Sequence, residues 1–225
     1  MTETEIANLA LIKAGGAGDQ SSGAGVIVDI NGSDVISQIC KILLPVYRKK
    51  VIADLSAIKC VPREAIRYKD LGAALSSASL PEIGEWQYAF NLPSDCLAPV
   101  RQISEAYLLD STKDMPEYRF GTIANKTATG IIFLTNDLTN ADEDSAFIEY
   151  AIDIPNPKAW SESLKHCIIT LYAAELCPMI GKKAEQRTAL LAEYKQLTLP
   201  DVKKFISSSY NNFAKTIPDY KGGRN

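Results

Sequence analysis

Helical periodicity fills both ends of this chain and is missing from its middle, so a helical core has to be assembled from segments far apart in sequence. Thr2 to Ala14 carries Ile6, Leu9 and Ile12 at helical spacing. Thr2 can cap this helix, Glu5 three residues on completes a capping box, and Gly15 and Gly16 end it. Ser33 or Asp34 can cap a second helix whose stripe of Val35, Ile36, Ile39, Leu43, Val46, Tyr47, Val51 and Leu55 runs to about Ile58. Pro45 lies inside it and is expected to kink or split it. Pro62 is expected to begin a shorter helix over Arg63 to Ser79, with Ile66, Leu71, Ala74 and Leu75 inward. Helix returns after Asn156-Pro157, with Trp160, Leu164, Cys167, Ile168, Leu171, Ala174 and Leu176 on one face. Pro178 and Gly181 break it, and a last helix is expected from Lys182 to Leu197, ended by Leu199-Pro200-Asp201.

The middle has strand character. Trp86 to Leu92 alternates and should be extended, with Trp86, Tyr88 and Phe90 on one face. Val100 to Leu109 is a strand candidate. Tyr118 to Ala124 and Gly130 to Thr135 suit an antiparallel pair joined at Asn125 to Thr129, and Phe147 to Ile152 is the last strand. Strands so close in sequence favour a small antiparallel sheet. The expected class is α+β: an antiparallel helical bundle from 1–80 and 155–206, an inserted antiparallel β domain over 81–154, and an extended C-terminal arm over 207–225. The arm has aromatic residues but no period and cannot fold alone. Tyr210, Phe213, Ile217 and Tyr220 are its candidate anchors on a partner.

The 225 residues suffice for one large domain or two small ones, and the net charge of −3 implies no nucleic-acid partner. The charge is uneven. From Lys158 onward eleven basic residues face six acidic ones, while the first 157 residues carry thirteen and twenty-one. An acidic front and a basic rear favour attraction between copies arranged head to tail, although a moderately basic helix surface gives the same count. Cys40, Cys60, Cys96, Cys167 and Cys177 are odd in number and lack zinc or redox spacing; Cys40, Cys167 and Cys177 read as reduced core thiols. The first residues are acidic, unlike a signal peptide, and no apolar run approaches the roughly 20 residues that span a bilayer. A soluble chain made in the cytosol is the expectation.

Catalytic, metal and cofactor signatures do not emerge. His166, the one histidine, adjoins Cys167, but neighbours on a helix point about 100° apart and cannot pair as base and nucleophile. Gly15, Gly16, Gly18, Gly23 and Gly25 fit neither phosphate-loop nor dinucleotide spacing. Asp137, Asp142, Glu143 and Asp144 lack the glycine and closing glutamate of a calcium loop. Arg48-Lys49-Lys50 is too short to predict contact with nucleic acid. Two competing readings keep a candidate feature each: a hydrolase using Glu149 and Asp153, and a nucleic-acid-binding protein using the basic last third.

In their order, several segments resemble the head-to-tail adaptors of tailed bacteriophages, in particular the tail tubular protein A family of short-tailed phages. They are Glu3-Thr4-Glu5-Ile6-Ala7-Asn8-Leu9-Ala10-Leu11-Ile12-Lys13-Ala14-Gly15, Ile39-Cys40-Lys41 through Pro45-Val46-Tyr47-Arg48, and Trp86-Gln87-Tyr88-Ala89-Phe90-Asn91-Leu92-Pro93-Ser94-Asp95-Cys96-Leu97. The last of these is similar to the family's Tyr-x-Tyr-x-Leu-Pro-x-Asp-Cys-Leu segment. Ile131 to Asn136, Phe147 to Tyr150 and Ile152 to Trp160 resemble its closing strands and the approach to its third helix. Where the family carries a Trp near the end of the second helix, this chain has Leu55-Ser56-Ala57-Ile58, and the tail after Ser207 has no counterpart. The resemblance implies a helical bundle with an inserted β domain and a ring, typically a dodecamer, in the virion neck. It also implies contact with a portal protein above, with a tail nozzle or tail tube protein and tail fibres below, and with passing DNA without sequence readout. It implies no catalysis, cofactor or membrane contact, and a part in DNA ejection.

Overall fold

The computed structural model describes residues 1–15, 26–75, 85–104, 118–124, 131–139 and 145–205. The protein is mixed helix and strand and divides into two compact units, Met1–Ala65 with Asp153–Ser207, and Ile66–Ile152.

The first unit holds helices α1 (Glu3–Lys13), α2 (Val35–Ala57), α3 (Glu162–Met179) and α4 (Ala184–Glu193). The Thr2–Glu5 capping box forms, with the Thr2 hydroxyl accepting from Glu5 N and Glu5 accepting from Thr2 N at 2.7 Å. Gly15 follows the helix at φ +80°, open to glycine at little cost. Asp34 caps α2, which runs through Pro45 without being split. α3 is the centre. Leu164, Cys167, Ile168, Leu171, Tyr172 and Ala174 are buried around most of its circumference, and α1, α2 and α4 all pack on it. It ends in a Schellman motif: Gly181 adopts φ +71° and Lys182 N donates to Cys177 O at 2.9 Å. The last helix does not stop near Leu197. α4 passes into a π turn, Tyr194–Thr198, in which Leu199 N reaches Tyr194 O, and helix resumes over 199–205. Pro200 does not end it, because the wide turn has already shifted the hydrogen-bond ladder that its missing N–H would have broken.

The second unit is two three-stranded antiparallel sheets. One pairs β1 (Ile66–Ala73) and β3 (Cys96–Ile103) on either side of β6 (Ser145–Ile152). The other pairs β2 (Tyr88–Asn91) and β4 (Phe120–Ala124) on either side of β5 (Ile131–Thr135). β1 overturns the helix expected over Arg63 to Ser79. After a 3-10 turn at Arg63–Ala65 the chain extends and pairs Ile66 with Ala151 through Asp70 with Phe147. Its charged residues, Arg67, Lys69 and Asp70, suit an edge strand, and pairing with β6 overrides a weak local helical pattern.

Phe90, Phe133, Ala146, Ile148 and Tyr150 form one buried cluster drawn from both sheets, with Phe120 stacked on Phe133 at 5.1 Å. Trp86 does not share a face with Tyr88 and Phe90. It packs with Ala89, Ile132 and Leu134, because it lies in the bend before β2 and so outside the two-residue alternation. Gly121 makes room for it: a Cβ there would lie 3.0 Å from the indole.

Candidate functional site

The charged groups that the helical unit buries act as ties. Arg48 lies on the inner row of α2 with Leu44, Val51 and Leu55, and its side chain is only 5% exposed. Its Nε and Nη2 donate to Asp153 Oδ1 and Oδ2 at 2.6 and 2.7 Å, a two-pronged pair that fixes the chain as it returns to this unit. Glu3 of α1 lies 3.7 Å from Nη1. Tyr172 donates to Cys40 O at 2.9 Å and Tyr194 to Asp54 Oδ2 at 2.9 Å, stitching α3 and the π turn to α2. Burial raises both phenols above their ordinary value. Trp160 is buried, and its Nε1 donates to Ile154 O.

In the sheet unit, Glu149 is 3% exposed and accepts from Arg101 Nε at 2.7 Å. Burial raises its carboxyl above 4.5 and outweighs the opposing pull of Arg101. The stability tied to this carboxyl is therefore present below about its unfolded value and lost as pH rises through the elevated folded one. Glu149→Gln should remove that dependence. The stability of wild type relative to the variant is expected to fall as pH rises from about 4 toward neutrality. Urea unfolding followed at Trp86 measures this, and an unchanged difference across the range refutes it. A polar tie joins the two sheets: Thr135 Oγ1 donates to Gln102 Oε1 at 2.7 Å, and Gln102 Nε2 donates to Asp137 O at 2.6 Å.

These contacts answer several expectations. His166 is exposed, whereas Cys167 is buried and its thiol is pushed up to about 12 by burial, so the two do not pair. All five cysteines are free, and Cys40, Cys167 and Cys177 are buried. Arg48-Lys49-Lys50 is not a continuous basic patch. Arg48 is engaged inside, and Lys50 pairs with Asp54 at 3.1 Å. Glu149 and Asp153 each serve an arginine in a different unit. Among the described residues no group of His, Cys, Asp and Glu could hold a metal, and no helix is long and apolar enough to cross a membrane. Asp142, Glu143 and Asp144, and the arm anchors Tyr210, Phe213, Ile217 and Tyr220, lie outside the described residues.

Sequence reasoning missed the Arg48–Asp153 tie, although a signal was present. An arginine that keeps the period of Leu44, Val51 and Leu55 on an apolar helix row calls for a buried carboxylate. It also missed the outer side of the helices. Val35, Ile42 and Val46 on α2 are 70%, 67% and 53% exposed, and Leu9 and Ile12 on α1 are 39% and 48% exposed. These side chains lie on the sides of α1 and α2 opposite their buried rows.

Together the fold and these surfaces define an α+β protein with charged interior ties and apolar outer helix faces. No family model matches the chain, and no curated protein matches it.

Proposed function

We propose that the chain is a structural virion protein, a head-to-tail adaptor that assembles as a ring between portal and tail nozzle and lines part of the DNA channel. In this reading its helices are the antiparallel bundle of the tail tubular protein A family, the sheets are the inserted domain, and the C-terminal arm reaches a neighbour through Tyr210, Phe213, Ile217 and Tyr220. The observation that carries it is the order of the resembling segments, above all Trp86 to Leu97. Two features support it. The helical unit is built from two segments of chain around an intervening sheet unit. In addition, Asp153 and Glu149 are each held by an arginine, Arg48 and Arg101.

The test is electron microscopy of the purified chain and of virions that contain it. A closed ring at the neck, between capsid vertex and tail, is the expected image. A chain absent from every capsid and tail assembly overturns the reading.

A further inference from the structure

The outer rows of α1 and α2 match each other in spacing and in charge. α1 turns Ile6, Ala7, Ala10 and Leu11 inward and leaves Glu5, Leu9 and Ile12 exposed at i, i+4 and i+7. α2 turns Leu44, Arg48, Val51 and Leu55 inward and leaves Ile42, Val46 and Lys49 exposed, again at i, i+4 and i+7. Each row covers seven residue steps, about 10.5 Å along its helix. Set antiparallel, the rows place Glu5 opposite Lys49, Leu9 opposite Val46 and Ile12 opposite Ile42. The carboxylate meets the ammonium at one end, and apolar side chains meet along the rest. The parallel setting puts Glu5 against Ile42 and Lys49 against Ile12, leaving both charges against hydrocarbon.

Both helices pack on α3 through their opposite sides, so the two outer rows of one copy point away from the core that joins them. We infer that the α1 row of one copy packs antiparallel on the α2 row of the next. This rests on the ring reading above and supplies its contact. Two different faces that join leave one of each open at the ends of any short chain of copies, so association continues past the pair, into a ring where the rotation between copies closes and into a filament where it does not.

Sedimentation of the full chain over a concentration series tests it. The wild type should form species larger than two copies. Ile42→Asp and Ile12→Asp each set a carboxylate into the apolar part of the contact and should weaken association at least about tenfold. Mixed together, the two variants keep one intact junction and should form pairs and nothing larger. Lys49→Glu changes an exposed lysine and spares the fold. It should weaken association by placing two carboxylates together, and Glu5→Gln, which keeps an acceptor for Thr2 N, should recover part of the loss. Unchanged circular dichroism identifies variants that fold. A wild type that stays a single copy throughout, or well-folded variants that sediment as wild type does, overturns the inference. Association that responds to these variants in a chain absent from virion necks overturns the ring reading and leaves the pairing of faces intact.

Discussion

Replacing Arg48 by Met is expected to lower the unfolding free energy of the helical unit by about 3–5 kcal/mol. The guanidinium is held by Asp153 through two bonds of 2.6 and 2.7 Å and is nearly sealed from water. Met fills similar volume, so the loss falls on the carboxylate left behind, which keeps the cost of its burial without the ion that offset it. Asp153 is also the residue at which the chain rejoins this unit, so its release loosens the start of the segment leading to α3. Arg48→Met with Asp153→Leu should recover much of the loss, because removing both charges leaves no orphan. The chain contains two tryptophans, Trp160 in this unit and Trp86 in the other. Urea unfolding followed at Trp160, with Trp86 changed to Phe, isolates the effect. A loss under about 1 kcal/mol, the range of exposed pairs, counts against a sealed tie.

Phe133→Ala is expected to cost the sheet unit about 3–5 kcal/mol. Phe133 is fully buried on the central strand β5, and its ring stacks on Phe120 and packs in the cluster with Phe90, Ile148 and Tyr150. Truncation leaves a void between two sheets that are also joined by the Gln102–Thr135 tie, which limits how far they can close over it. Phe133→Leu keeps most of the volume and should lose less than half as much. Unfolding followed at Trp86, with Trp160 changed to Phe, reads this unit, and a small loss for the alanine variant refutes the shared core.

Much of the fold was legible wherever one residue pattern agreed with one environment. Thr2 and Glu5 announced the first helix, and the stripe from Leu164 to Leu176 announced the most buried one. The apolar runs at 131–135 and 147–152 marked strands, and both lie at the centre of their sheets, buried on both faces or nearly so. The failures have a common cause. β1 draws its structure from β6, about 80 positions away, and its own residues carry little periodic signal. The π turn at Tyr194–Thr198 accommodates Pro200 through a slip in the ladder that no residue type announces. Arg48 and Asp153 stand 105 positions apart, and Arg101 and Glu149 stand 48 apart, so each partner was invisible from the other. The exposed apolar rows on α1 and α2 were hidden for a different reason. Apolar residues occupy both sides of each helix, and only packing on α3 reveals which side is left over.

The pairing of Ile66 with Ala151 has a consequence for how this chain can be rebuilt. The first and nearly the last residue of the sheet unit are neighbours across one ladder, about 5 Å apart. The whole segment therefore leaves and rejoins the helical framework through a single narrow doorway. A short turn can span that gap, so the segment is a cassette: it can be cut out, or exchanged for another of different length, without altering the distance the framework has to bridge.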